Sequence, residues 1–343
     1  MKVSFKSYNL KFKYPFGISR GTKTHQPTFV IQLEHLGWKG FGEAPAIAYY
    51  HIPIEKMQSD LESKKMFVEK FAFTEPERWW HYLHHLFPSN NFLVCALDIA
   101  GWDIYGKMKG KPLKEFWKPD EKKDPICDYT IGIDTIEKMV DKLKEKPWPI
   151  YKIKLGTDRD IEIIEQLRKH TDAVFRIDAN AAWKAEEALE KINVFKDLGV
   201  EFIEQPLAKD DWDGMKWLYE RSPLPLYADE ACVIESDVEK CKGYFHGINI
   251  KLTKCSGITP ALRMIKKARE LKMSLMVGAM NESTLGSAAI AHLMPLIDHV
   301  DADGPLLLEE DIATGLDYTN DGHIITSSQP GLGIQFTDLY SRI

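Results

Sequence analysis

The chain has 343 residues, 44% of them hydrophobic and 28% charged, which is typical of a globular protein with one large barrel or two domains. Its net charge is −6 and it has no basic tract, so neither nucleic acid nor an anionic membrane surface is an expected partner. Five cysteines without a C-x-x-C pair, and no apolar run of about 18 residues, predict a cytoplasmic chain with free thiols.

The first hundred-odd residues predict an antiparallel meander followed by helices. The segments VSFKSYNLKFKY, TFVIQLEH and GWKGFGEA are short, alternate in hydrophobicity and are separated by turn residues. After HIPIEKM the pattern becomes helical and ends in FLVCALDIAGWDIYGKMKG, whose apolar residues recur every three to four positions. The charged, proline-containing segment KPLKEFWKPDEKKDP is predicted to be a linker.

From about residue 127 a pattern of strand and helix repeats roughly every 25 residues. Strand centres are predicted near 130, 153, 177, 203, 228, 250, 276 and 301. Between them lie helical patterns such as 184–198, followed by Gly199, and 260–272, for which Thr259 is the predicted N-cap. Eight repeats favour a parallel (β/α) barrel. A doubly wound open sheet is the alternative, but no G-x-G-x-x-G or Walker motif follows a strand.

Carboxylates stand at the ends of the third, fourth and fifth predicted strands, where the active site of such a barrel lies. They are Asp178, Glu204 and Asp229, each flanked by apolar residues. One acidic residue after a strand is most often a helix cap, but several buried carboxylates repel one another unless a cation binds between them. Oxygen ligands without His or Cys nearby favour Mg²⁺ over Zn²⁺. The sequence therefore predicts a Mg²⁺ site.

Lysines end the second and sixth predicted strands, on opposite sides of an eight-stranded barrel. Lys152 and Lys154 point the same way because they are two residues apart, and Lys251 ends the sixth strand. A lysine near a divalent cation and a second lysine should have a pKa lowered toward values useful to a general base. Facing lysines can remove an α-proton from one side of a carboxylate substrate and return it on the other, through an enediolate. This pattern predicts racemisation or epimerisation.

Seven sequence fragments together resemble the enolase superfamily, in particular its muconate-lactonising-enzyme-like subgroup. In chain order they are GFGEA, ALDIAGWDIYGKMKGKPL, KIKLG, DANAAW, EQPL, ADEA and NIKLTKCSGI. The resemblance implies an α/β fold, with a modified (β/α)₇β TIM-type barrel at 123–310. An α+β capping domain would comprise residues 1–122 and the C-terminal tail 311–343. It also implies self-association as a homo-oligomer.

The resemblance also implies roles for the charged residues at the strand ends. Asp178, Glu204 and Asp229 would bind one Mg²⁺ per subunit. Lys154 and Lys251 would be catalytic, together with Lys152. The fragment KIKLG contains the Lys-x-Lys of the family, and NIKLTKCSGI contains the opposing lysine.

DADGP, at 301–305, resembles the Asp-x-Asp of the dipeptide epimerases in this subgroup. It implies that Asp301 and Asp303 receive the α-ammonium group of a dipeptide; the alternative is that they only turn the chain. The implied activity is 1,1-proton transfer at the α-carbon of the C-terminal residue of an L-Ala-D/L-Glu-like dipeptide, on peptides from cell-wall turnover.

Capping-domain loops select the substrate side chain in this family, here FGISRGTKT and AIAYYHI. Further residues expected at the substrate are Arg20, Glu282, Asn180 and Tyr50. Arg20 can pair with a glutamyl carboxylate, whereas Tyr50 and its neighbours Tyr49 and His51 can favour an apolar or aromatic side chain. The sequence leaves both readings open.

Other functions remain as alternatives. An o-succinylbenzoate synthase would use Lys154 as its base but leave Asp301 and Asp303 without a role. An N-acylamino acid racemase would keep the metal and lysine assignments. A catalytically silent barrel that binds peptides has no need for both facing lysines and all three carboxylates.

Overall fold

In the computed structural model, which describes residues 1–119 and 121–337, the N-terminal part is an antiparallel sheet packed on three helices. The strands are β1 (Lys2–Ile18), β2 (Gly21–His35) and β3 (Trp38–Pro45). The helices are α1 (Ile54–Lys70), α2 (Pro76–Leu86) and α3 (Asn91–Lys109). A Cβ atom at Gly42 would lie 1.9 Å from the Ala96 carbonyl oxygen, so glycine lets α3 lie directly against β3. The predicted meander and helices are confirmed.

Eight parallel strands follow and form one sheet in chain order. They are β4 (Tyr129–Ile131), β5 (Ile150–Lys154), β6 (Val174–Asp178), β7 (Val200–Glu204), β8 (Leu226–Ala228), β9 (Gly247–Ile250), β10 (Ser274–Gly278) and β11 (His299–Asp301). A parallel bridge between Cys127 and Val300 joins the first strand to the last and closes the barrel. Every predicted strand centre falls within one of these strands, so the predicted barrel is confirmed.

Helices connect these strands and cover the barrel. They are α4 (Ile136–Glu145), α5 (Asp160–Arg168), α6 (Ala185–Asp197), α7 (Trp212–Tyr219), α8 (Glu235–Cys241), α9 (Leu252–Cys255), α10 (Ile258–Glu270), α11 (Thr284–Ala291) and α12 (Gly304–Leu307). The helix predicted at 184–198 is α6, and Gly199 follows it with φ +72°. Among the described residues, none of the helices is long and apolar enough to cross a membrane.

The predicted N-cap of the helix at 260–272 is wrong. Helix α10 begins at Ile258, so Thr259 lies inside it. The backbone N–H and the hydroxyl of Thr259 both donate to the buried carboxylate of Asp98 on α3, at 3.0 and 2.7 Å. Thr259 therefore bonds to a helix of the N-terminal domain and does not cap its own helix.

The interior of the barrel is filled below its carboxyl end. Phe202, Tyr227 and Met276 form a separate buried cluster, and the rings of Phe202 and Tyr227 stack at 4.2 Å. Arg176 lies beside Phe202, with its guanidinium 3.0 Å from Asp128 Oδ2 and 2.8 Å from Glu201 Oε2. Access from solvent is therefore confined to the opposite end, where Asp178 stands two residues further along the same strand.

The C-terminal segment returns to the N-terminal domain. Its short strands are β12 (Ala313–Thr314), β13 (Leu316–Tyr318), β14 (Ile324–Thr326) and β15 (Gln335–Phe336). The buried carboxylate of Asp103 on α3 accepts hydrogen bonds from Leu332 N at 2.8 Å and from Phe41 N at 3.0 Å. These contacts support our proposal of a capping domain from 1–122 and 311–343 around a barrel at 123–310, although residues 338–343 lie outside the described residues.

Asp103→Ala is expected to lower the free energy of unfolding by roughly 2–5 kcal/mol, because two buried backbone amides would lose their acceptors. The shift of the urea unfolding midpoint measures this loss. Asp317→Ala, at an exposed position in β13, is the matched control and should change stability little. A loss for Asp103→Ala no larger than that of the control would contradict its role in holding the tail.

Candidate active site

Three carboxylates from neighbouring strands meet at the carboxyl end of the barrel. Asp178 ends β6, Glu204 ends β7, and Asp229 directly follows β8. One oxygen of each lies within 4.8 Å of the others, and all three side chains are buried. Opposite ligands of a Mg²⁺ ion lie about 4.2 Å apart at metal–oxygen distances of about 2.1 Å. The predicted ligands are thus brought together, and they fit a hard divalent cation.

Two lysines approach this carboxylate cluster from opposite sides. Lys154, at the end of β5, places its Nζ 2.5 Å from Asp178 Oδ2, and Lys251, after β9, places its Nζ 2.7 Å from Asp229 Oδ2. Strands β5 and β9 are four apart in an eight-stranded barrel, so they face each other across it. Burial alone would raise the pKa of Asp178, but Lys154 and then Lys152 outweigh it and hold this pKa well below its usual range.

Lys152 lies one layer deeper than Lys154 and is almost fully buried. Its Nζ is 2.8 Å from Glu204 Oε2, 2.9 Å from Asp301 Oδ2 and 3.3 Å from Asp178 Oδ2. Burial alone would lower the pKa of Lys152, but Asp301 and Glu204 outweigh it and raise the pKa well above its usual value. Lys152 is therefore a fixed ammonium among three carboxylates, whereas Lys154 lines the space above them.

The sequence argument for a lowered lysine pKa assumes a bound cation, whereas in the chain itself a carboxylate determines the pKa of Lys251. Burial alone would lower this pKa, but Asp229 outweighs burial and the pKa is raised. That argument counted a cation and a second lysine, but not a carboxylate 2.7 Å away. A cation sharing the charge of Asp229 would weaken this stabilisation of the ammonium form.

Two polar residues that sequence analysis did not select hold the cluster in place. Lys254 is buried, and its Nζ lies 2.6 Å from Asp229 Oδ1 while it also donates to the backbone oxygens of Asp229, Cys232 and Asn249. The side chain of Asn249 donates to Glu204 Oε1 at 2.8 Å. Lys254 lies three residues beyond Lys251, and the short helix α9 turns it back beneath Asp229. Its neighbours in the sequence, Thr253 and Cys255, do not distinguish it from a solvated lysine.

A cavity of about 780 Å³ lies above the cluster, between the capping domain and the barrel. The barrel contributes Lys154, Asn180, Asp229, Lys251 and Asp301 to its lining. The opposite wall comes from residues 16–27 and 46–53, which include Tyr50. This volume is within the range of sites for small molecules, about 300–1,000 Å³.

Among the remaining predicted substrate residues, Asp301 lines the cavity, whereas Asp303 and Glu282 are buried outside its lining. Asp303 accepts a hydrogen bond from Thr130 N at 2.6 Å, and burial, followed by Asp301, raises its pKa to about 7. The carboxylate of Glu282 accepts from Met280 N at 2.5 Å, and burial raises its pKa to about 7. Asp301 is therefore the nearer of the two aspartates to a ligand in the cavity.

Arg20 reaches the barrel from the turn between β1 and β2. Its guanidinium forms an ion pair with Glu230 and donates to the backbone oxygen of Asn180 at 3.0 Å. The Tyr49 ring centre is 4.1 Å from the guanidinium carbon. Burial, followed by Asp229, raises the pKa of Tyr50, so its hydroxyl stays protonated. Both loops predicted to select the substrate thus border the cavity.

Glu43, in the fragment GFGEA, joins the capping domain to the barrel. Its buried carboxylate accepts from Ser283 Oγ at 2.5 Å, Ser283 N at 3.1 Å and Gly286 N at 2.9 Å. Ser283 caps α11, and a carboxylate at a helix N-terminus is stabilised by the helix dipole. The roof of the cavity is therefore fixed to the barrel through this residue.

The sequence and the structure are both similar to known proteins. An L-Ala-D/L-amino acid epimerase of Maribacter sp. is 51% identical over 97% of this chain and 99% of its own length. The L-Ala-D/L-Glu epimerase from Bacillus subtilis, solved as a substrate-liganded complex, has a TM-score of 0.91 at 28% identity and covers 97% of this chain and 99% of that chain. A dipeptide epimerase from Cytophaga hutchinsonii, complexed with Mg and D-Ala-L-Val, has a TM-score of 0.91 at 27% identity, covering 98% and 96%.

Two family profiles match the two parts of the fold. Residues 1–116 match the mandelate racemase / muconate lactonizing enzyme N-terminal domain, which coincides with the meander and its helices. Residues 134–339 match the enolase C-terminal domain-like profile, and this range includes β5 to β11 of the barrel and the strands of the tail. Because these matches span most of the chain and agree with its fold, the protein belongs to the mandelate racemase / muconate lactonizing enzyme family of the enolase superfamily.

Proposed function

We propose that the protein is a Mg²⁺-dependent dipeptide epimerase, an isomerase that inverts the α-carbon of the C-terminal residue. The observation that carries this proposal is the approach of Lys154 and Lys251 from opposite sides to one carboxylate cluster beneath the cavity. The epimerase of Maribacter sp., 51% identical over almost the whole chain, supports the activity. The Cytophaga hutchinsonii enzyme, complexed with Mg and a dipeptide, supports the cofactor and the substrate class.

Asp178, Glu204 and Asp229 would hold Mg²⁺, whose charge would stabilise the negative charge that develops on a substrate carboxylate as the neighbouring α-proton leaves. Lys154 and Lys251 each contact a carboxylate that would hold the ion, so their ion pairs weaken when the carboxylate charge is shared. The amine of one lysine then takes the proton as the Cα–H bond breaks. The ammonium of the other lysine donates a proton to the opposite face, which inverts the α-carbon.

Lys152 has a different part in this scheme. Its three carboxylate partners keep it charged, so it would stabilise negative charge at the cluster and not accept the α-proton. The two lysines of the Lys-x-Lys fragment therefore differ in depth and in role, because Lys154 faces the cavity and Lys152 lies beneath it.

The position of Asp301 favours a dipeptide over the alternative substrates. Burial alone would raise the pKa of Asp301, but Lys152 outweighs it and lowers the pKa, so the carboxylate stays ionised where it lines the cavity. An ionised carboxylate there can pair with the α-ammonium group of a dipeptide. Succinylbenzoate-type and N-acylated substrates carry no such group. Asp303 is buried outside the lining of the cavity, where it accepts from Thr130 N. A homo-oligomeric, cytoplasmic enzyme without nucleic-acid or membrane partners is part of this proposal.

A dipeptide incubated with the enzyme and Mg²⁺ in D₂O is expected to lose the α-proton NMR signal of its C-terminal residue while its diastereomer appears. Solvent deuterium replaces the proton because lysine protons exchange with water. EDTA should stop both changes by removing the cation from the carboxylate cluster. Exchange that continues unchanged in EDTA would contradict the metal requirement, and no exchange with any dipeptide would contradict the proposed substrate.

Lys154→Ala and Lys251→Ala are each expected to reduce epimerisation by at least about a thousandfold, because inversion needs a proton carrier on both faces. Each variant should still exchange the α-proton of one epimer, and the two variants should act on opposite epimers. The measurement is deuterium incorporation into each pure epimer, with Lys138→Ala, whose side chain is 65% exposed on α4, as the control. Full turnover by both variants would rule out the two-base scheme.

Asn249→Ala is expected to raise the Kd for Mg²⁺ by about 10- to 100-fold, because Glu204 would lose the hydrogen bond that orients it. Isothermal titration calorimetry without substrate measures this Kd directly. Asn9→Ala, at an exposed position in β1, should bind Mg²⁺ like the unchanged chain. An unaltered Kd in Asn249→Ala would show that Glu204 needs no such support.

A further inference from the structure

Each lysine and arginine that lines the cavity already has a partner in the chain. Lys154 and Lys251 contact carboxylates of the cluster, and Lys23 donates to the side-chain oxygen of Gln26. Burial, followed by Lys154, lowers the pKa of Lys23 to about 8, which weakens its hold on an anion. Arg20 is paired with Glu230. Arg20, Lys154 and Lys251 are thus each already paired with a carboxylate, and Lys23 is more easily deprotonated than an ordinary lysine.

Glu230 is a buried carboxylate that only half uses its hydrogen-bonding capacity. Its side chain is 3% exposed, and Arg20 contacts Oε1. Within residues 1–119 and 121–337, no donor forms a hydrogen bond with Glu230 Oε2. A second carboxylate brought beside Arg20 would therefore meet a buried negative charge, and like charges at short range repel strongly in such surroundings.

The Arg20–Glu230 pair lies where the C-terminal side chain of a dipeptide would project. Asn180 and Glu230, the contacts of Arg20, follow the cluster residues Asp178 and Asp229 by two and one positions. In the proposed complex, a substrate carboxylate directed at the cluster would bring the side chain of the same α-carbon toward this pair. Asp301, on β11, lies three strands away from β8 and would face the other end of the dipeptide.

The rest of the wall that the capping domain contributes is mostly apolar. It includes Phe16, Ile18, Ile47, Tyr50 and Ile52. Building on the proposed function, we infer that this enzyme selects dipeptides with an uncharged C-terminal side chain, and that Glu230 determines the selection by neutralising Arg20. The Arg20–Glu230 pair, which has no net charge and is stacked against Tyr49, then forms a wall between the capping domain and the barrel and is not a receptor for a glutamyl carboxylate.

The comparison of L-Ala-L-Gln with L-Ala-L-Glu tests this inference, because the two substrates differ in charge and scarcely in size. The kcat/KM of the unchanged enzyme is expected to favour L-Ala-L-Gln by about tenfold or more. Glu230→Gln leaves Arg20 beside a neutral amide, so this ratio should fall by about tenfold or more. Glu235→Gln, which alters a glutamate paired with Arg263 on the outer surface, is the matched control and should keep the ratio.

An enzyme that prefers L-Ala-L-Glu to L-Ala-L-Gln would overturn the inference, as would an unchanged ratio in Glu230→Gln. If Glu230→Gln turns over neither dipeptide, calorimetry measures the Kd of each dipeptide for the Mg²⁺-loaded variant, and the ratio of the two Kd values replaces the ratio of kcat/KM. A variant that binds neither dipeptide would also count against the inference. Failure of the unchanged enzyme to epimerise any dipeptide would overturn the proposed function instead. The ratio of the two Kd values then tests the role of Glu230 independently of turnover.

Discussion

The arrangement of this protein depends on one electrostatic constraint, which is that four carboxylates are buried together at the mouth of the barrel. Asp178, Glu204, Asp229 and Asp301 would repel one another there without compensation. Lys152 and Lys254 compensate from below, in fixed contacts with several acceptors each. The lysines at the level of the cavity are held by single carboxylates, so a divalent cation can take over their task. The deeper lysines thus stabilise the carboxylates, whereas the lysines at the level of the cavity are the proposed proton carriers.

Buried carboxylates also hold the roof over this site. Glu43 accepts from the first turn of α11, Asp98 from Thr259 on α10, and Asp103 from the C-terminal segment. Each of these side chains comes from the capping domain and uses backbone amides as partners, which keeps the contact specific in direction. A fixed roof limits how much solvent surrounds the charges beneath it, and buried charges interact more strongly than exposed ones.

The ion pair of Arg20 and Glu230 connects the roof of the cavity to the carboxylate cluster of the barrel. It joins the turn between β1 and β2 to the residue that follows Asp229, and Tyr49 stacks on it from the second loop. An arginine in this loop would, by itself, suggest an acidic substrate. Its effect depends on the carboxylate beside it, so the selectivity of the site is a property of the pair and cannot be assigned to either residue alone.

The sequence by itself determined the fold and which candidate site residues would meet at one end of it, because both follow from local patterns. The barrel follows from the alternation of apolar and polar residues and from the repeat of about 25 residues. The position of acidic residues at strand ends places Asp178, Glu204 and Asp229 at one edge of it. Only the tertiary structure decided that Lys152 is buried against Asp301, that Lys254 turns back to Asp229, that Thr259 is bonded to Asp98 and that Arg20 is paired with Glu230. Each of these contacts joins residues from 25 to 210 positions apart, and the depth and partner of a side chain there depend on the packing of separate elements.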